Sequence, residues 1–184
     1  MPRITLITGK TGLPAEQHAL ADSVMKVFGN PQVRGPYSVL LHSPKLAAHL
    51  LPLVTHFRDE NSVEPKLRSI AIITAVRERE APYVWAAQVG AARRNGVSEA
   101  TIDVIRAKGD PGKLPADERD VVNYVRQTMR TNRVDQATFD ALRKNHDEKW
   151  LVDLTAAANY YAFVSAMVLP FDVPAPPEGD KLPS

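Results

Sequence analysis

Hydrophobic residues recur along this chain mostly three and four positions apart, the spacing that lines one face of an α-helix. Between Pro14 and Phe28 the apolar side is Leu20, Val24, Val27 and Phe28, and Gly29-Asn30 ends the helix. Tyr37 to Leu41 is a short apolar piece. Ser43-Pro44 then supplies an N-cap and a first-turn proline for a helix to about Arg58. Pro65 opens a helix to about Arg79, with Leu67, Ile70, Ile73 and Val76 on one inward face. Ala81-Pro82 interrupts it, because the residue before a proline is driven out of the α region, and Pro82 starts a second helix that ends at Asn95-Gly96. Ser98 caps a helix through Lys108, another runs from Ala116 to about Arg130, and Asp135 caps a short one to Lys144. Asp147 caps the last, from Glu148 to about Leu169, which is apolar nearly all round and therefore predicted to be buried in a core or across a subunit interface.

Ile4, Leu6 and Ile7 form a β-like run with no comparable partner strand, so the first residues are expected to be an extended arm lying on a neighbouring subunit. The expected organisation is an arm over 1–13, a helical domain over 14–170 and a proline-rich arm over 171–184. The fold class is all-α, with about seven helices.

Length and composition leave this picture standing and remove several chemistries. At 184 residues, 44% hydrophobic and 24% charged, the chain suits one soluble domain. A net charge of +2 with the signs interspersed offers no basic stripe for a phosphate backbone, so no nucleic-acid partner is expected. The absence of cysteine removes disulfides, thiolate metal sites and thiol catalysis. The segment MPRITLITGKTG lacks the apolar core of a signal peptide, and no apolar run approaches the ~20 residues that span a bilayer, so a cytoplasmic protein without a membrane partner is expected. Gly9-Lys10-Thr11 resembles the end of a phosphate-binding loop, but Ile4 stands where that motif needs its first glycine. His49 and His56 lack a companion at metal-ligand spacing, and neither a metal nor a cofactor is expected.

Several runs together resemble one family. They are Gly35-Pro36-Tyr37 through Leu40-Leu41-His42-Ser43-Pro44, Leu67-Arg68 with Ala71-Ile72, Tyr83-x-Trp85, Ala91-Ala92-x-x-x-Gly96-Val97-Ser98, and Tyr160-Tyr161. In these the chain, from about Pro14 to Pro174, resembles carboxymuconolactone decarboxylase-like proteins. The resemblance implies the all-helical fold of the peroxidase alkylhydroperoxidase D, assembled as a homo-oligomer such as a trimer or hexamer. In the peroxidase branch a glutamate, two cysteines and a histidine form the relay. Those positions fall here on Ser69, Ala81, Val84 and Gln88. Peroxiredoxin activity, which the family's label suggests, has no nucleophile in a cysteine-free chain. The decarboxylase branch needs no cysteine, but its Tyr-x-Trp-x-x-His ends here in Gln88, an amide that exchanges no proton near neutral pH.

Other groups must then do any acid–base work. Extending the stripe of Ile70 and Ile73 leads to Arg77 and Glu80. Arg77 could hold a substrate carboxylate in its fork, and Glu80 or Glu78, raised in pKa by burial, could act as base. The other reading of Arg77 to Glu80 is a solvated helix end with local ion pairs. Tyr83, Trp85 and Gln88 could line and orient a ligand, with Ser69, His42 and Tyr161 as further binding positions, in a pocket between the central helix pair and the last helix. The function expected is cofactor-free lyase, decarboxylase or isomerase chemistry on a small carboxylated or lactone metabolite. The alternative is a catalytically lapsed subunit that binds a ligand or serves assembly.

Overall fold

The local signals are realised as helices in a computed structural model that describes residues 1–183. Nine α-helices and no strand occur among the described residues: α1 His18–Phe28, α2 Pro36–Leu40, α3 Pro44–Thr55, α4 Pro65–Glu78, α5 Pro82–Arg94, α6 Glu99–Arg106, α7 Ala116–Thr131, α8 Gln136–Arg143 and α9 Glu148–Val168. The all-α class is as the pattern predicts. The short apolar piece after Gly35 is itself a helix, α2, entered through a proline in its first turn. Three of the expected caps form. Ser98 accepts from the Thr101 amide, Asp135 from the Thr138 amide, and Asp147 from the Trp150 amide. Ser43 precedes α3 without a capping bond from its side chain. Because Ser98 also meets the Thr101 hydroxyl at 2.9 Å, Ser98→Ala should cost about 1 kcal/mol, read as a lower urea midpoint with unchanged slope.

The described residues fall into two compact units. One comprises 1–61 and 167–174. Its core gathers Ala21, Val24, Val33, Tyr37, Leu40, Leu41, Ala47 and Leu51 from α1, the following loop, α2 and α3. Residues 1–14 belong to no helix, and they bond to their own chain. The Ile7 amide donates to the Ser38 carbonyl at 3.0 Å, and the Val33 amide donates to that of Thr8 at 2.9 Å.

The other unit comprises 62–166 and the tail from Ala175. It is built around α4, with α5, α6 and α7 packed on it. The sequence pattern predicts a helix with one inward face, but every residue of α4 from Leu67 to Arg77 is buried. The small side chains Ser69, Ala71, Thr74 and Ala75 lie between the large ones and let neighbours approach from all sides.

Helix α9 departs from expectation in two ways. It buries Leu151, Leu154, Ala157, Ala158, Ala162 and Val164, yet Val152 and Phe163 on its other side are 64% and 39% exposed. An all-round apolar helix in this chain is thus half covered. Second, Glu148–Phe171 is long and apolar enough, by length and composition alone, to cross a membrane, contrary to the expectation that no run approaches that length. The cause is its sparse charge after Asp153. Its buried face is that of a core helix.

Candidate functional site

The break between α4 and α5 is fixed by backbone chemistry. Pro82 stands in the first turn of α5 and pushes Ala81 into an extended conformation, φ −102° and ψ 91°. Glu80 before it takes φ +51°, in the left-handed region that a β-carbon disfavours. Its amide donates to the Arg77 carbonyl at 3.1 Å.

This conformation decides where the two candidate groups point. Arg77 lies in the last turn of α4, and it is buried, 9% exposed along its side chain. Its Nε donates to the Arg106 carbonyl at 2.6 Å and its Nη1 to Glu80 Oε2. Glu80 lies beyond the helix end, so the stripe no longer governs it, and its side chain is 55% exposed. Its second oxygen accepts from Lys108 Nζ. The hydrogen bond from the Lys108 ammonium holds the Glu80 carboxyl below its ordinary pKa against the opposing effect of burial, and the Arg77 guanidinium acts in the same direction as Lys108. The expected base with a raised pKa is therefore corrected: Glu80 is an exposed carboxylate committed to its ionised form. Glu78 is no open base either. It is mostly buried and accepts a two-pronged contact from Arg130 at 2.7 and 2.8 Å. The solvated-end reading fits Arg79, which is exposed, but not Glu78 or Arg77.

The remaining candidates separate. Trp85 is wholly buried, with the Arg106 guanidinium 5.8 Å from its ring centroid. Tyr83 and Gln88 are half-buried on the same helix, α5. Ser69, on α4, accepts from Asn95 Nδ2 at 2.9 Å and so ties the end of α5 to α4. The relay positions Ala81 and Val84 are buried and apolar. Tyr161 sits half-buried on α9 with its ring edge-on to Tyr160. His42 belongs to the other unit, where its exposed ring contacts the Thr5 carbonyl at 2.8 Å and fastens the N-terminal arm.

A groove of about 580 Å³ opens at the break, lined by Glu80, Pro82 and tail residues including Pro176, Gly179, Asp180 and Leu182. Its volume is that of a small-molecule site. Its wall is the C-terminal tail, where the sequence led us to expect the last helix. Lys108, Arg106 and Asp180 escape sequence reasoning because they meet the break across long chain separations without a local motif.

No family model matches the chain, and no curated protein matches it. The fold is nevertheless shared with solved structures. A protein of unknown function from Agrobacterium tumefaciens, described as a putative antioxidant defence protein AhpD, superposes with a TM-score of 0.68 at 16% identity, over 76% of this chain and 96% of that one. The debrominase Bmp8, in its apo form, superposes with a TM-score of 0.73 at 14% identity, over 95% of this chain and 94% of that one. The chain therefore has the AhpD-like all-helical fold that these structures share with it. At these identities the likeness is one of fold.

Proposed function

We propose that this is a carboxymuconolactone decarboxylase-like protein acting on a small carboxylated or lactone metabolite at the α4–α5 break, by cofactor-free lyase, decarboxylase or isomerase chemistry. The observation that carries the reading is Glu80, which lines a groove of about 580 Å³ and pairs behind it with Lys108. With Glu80 committed to its ionised form, Lys108 is the group that delivers a proton, and Glu80 and Arg77 position it. In a decarboxylation the bonding electrons left on the substrate as carbon dioxide departs are stabilised by the Lys108 charge, and a proton from Nζ then closes the new C–H bond. From α5 it is Pro82 that walls the groove, while Tyr83 and Gln88 flank it on the same helix as the orienting groups of this reading. Thiol peroxidase chemistry has no support in a chain without cysteine.

The rival reading, a lapsed subunit that binds a ligand, draws on the apolar side chains of Ala81 and Val84 and on the amide at Gln88. In both readings the chain forms a homo-oligomer, a trimer or hexamer, for which the exposed Val152 and Phe163 of α9 are the supporting observation.

The test starts with thermal shifts of the full chain against carboxymuconolactone, hydroxy acids and aromatic carboxylates. A ligand at ~100 times its Kd should add about 2.7 kcal/mol of stability. For a hit, turnover that falls by about 100-fold or more in Lys108→Met and Glu80→Gln, with the fold intact, supports the lyase reading. Binding without turnover supports the rival.

A further inference from the structure

The proline-rich tail is irregular, as its composition predicts, but it is not loose. Gly179 passes so close to α5 that a β-carbon placed on it would lie 2.6 Å from the Ala86 β-carbon. Its amide closes a turn onto the Pro176 carbonyl at 3.0 Å. This close approach sets the next residue, Asp180, between two guanidinium groups. Arg93, from the last turn of α5, contacts both carboxylate oxygens, at 2.5 and 3.1 Å. Arg106, from the last turn of α6, contacts one of them at 3.1 Å.

Such an arrangement of a planar carboxylate held by a two-pronged arginine and a second guanidinium is how proteins recognise carboxylated ligands. Arg106 is itself set from three sides: its carbonyl accepts from Arg77, its guanidinium lies over buried Trp85, and Asp103 takes its Nη1. Arg93 is set by Glu99, which contacts its Nε at 2.6 Å. The two donors are thus held in place by α4, α5 and α6 independently of the tail. Asp180 also lines the groove at the break, with its side chain 24% exposed.

We propose that Arg93 and Arg106 form a carboxylate-recognition site, that Asp180 fills it from within the chain, and that a small carboxylic acid entering the groove displaces the tail by taking the place of Asp180. The inference rests on the reading of the ligand as carboxylated, and is independent of Lys108 acting as an acid. In this state the tail is a competing internal ligand, and the apparent affinity for an external one is reduced by the fraction of molecules whose tail is lifted.

The experiment uses the full chain and succinate as probe, with succinamide as the uncharged control. Calorimetric titration should show succinate binding about tenfold or more tighter to Asp180→Asn than to the parent chain. Gly179→Ala, which retains the aspartate but forces the tail away from Ala86, should tighten binding in the same direction. Arg106→Gln placed on Asp180→Asn should abolish the gain, and succinamide should bind none of the variants. Amide exchange over 175–183 should quicken when succinate saturates the parent chain. Equal affinities across the parent chain and both tail variants, absence of succinate binding to either, or unchanged exchange in the tail would each overturn the proposal. Because only binding and exchange are read, failure of the lyase reading would appear separately, as bound ligand without turnover.

Discussion

Replacing Trp85 by alanine should cost about 3–5 kcal/mol. The ring is 0% exposed beneath the α4–α5 break, so its removal deletes apolar contact and leaves a cavity that the surrounding helices fill only in part. Loss of the Arg106 contact over the ring face adds to the cost. Trp85→Phe should behave differently. The buried indole N–H has no hydrogen-bond partner among the described residues, so phenylalanine removes an unsatisfied donor while keeping most of the aromatic volume. Its cost should stay below about 2 kcal/mol. Urea denaturation of both variants, with the slope checked against the parent, measures the pair. A Trp85→Ala loss near that of Trp85→Phe would mean that the ring is not packed as described.

Trp85 also marks the boundary between what the chain's pattern discloses and what it conceals. Its place near the start of a proline-opened helix follows from Ala81-Pro82, whose local sterics need no tertiary partner, and the break is found where those residues put it. The caps at Ser98, Asp135 and Asp147 are legible for the same reason, since each involves an atom three residues away. Arg77 is legible as inward because it still lies on the helix that carries Ile70 and Ile73. Glu80 departs from the stripe because α4 stops at Glu78, two residues before it. Once Glu80 takes a positive φ, angular position on α4 says nothing about its side chain.

Burial on more than one side is concealed more deeply. The run from Ser69 to Val76 carries no charge, which permits burial of α4 on all sides from Leu67 to Arg77, whereas the uncharged run of α9 after Asp153 leaves Phe163 exposed. Nothing in either run specifies how many neighbours will arrive. Lys108, Arg106 and Asp180 reach the break only because α6 and the tail return to it, a consequence of topology that short-range spacing cannot express.

Acidification should weaken the unit through Asp153, on α9. Its Oδ2 accepts from the Ser62 amide at 2.8 Å, the Ser62 hydroxyl at 2.6 Å and Lys149 Nζ at 2.7 Å. These contacts pin the start of α9 to the segment that leads into α4, beside the bond from Trp150 Nε1 to Glu64 at 3.0 Å. Burial alone would raise the Asp153 pKa. The hydrogen bond from Lys149 and then those from Ser62 more than offset it, and the carboxyl falls from 3.8 to about 2. A group whose folded pKa is depressed stabilises the fold above its unfolded pKa and loses that contribution as pH falls through the folded value. The window is therefore pH 3.8 down to about 2. With the side chain only 13% exposed, the contribution at neutral pH is about 2 kcal/mol. Asp153→Asn should lower stability at pH 7 by up to that amount, and the gap between variant and parent should close as pH approaches 2. Urea titrations at steps between these limits decide the matter. A gap that stays constant with pH would assign the loss to altered packing at Ser62 and leave the carboxylate charge without a part in it.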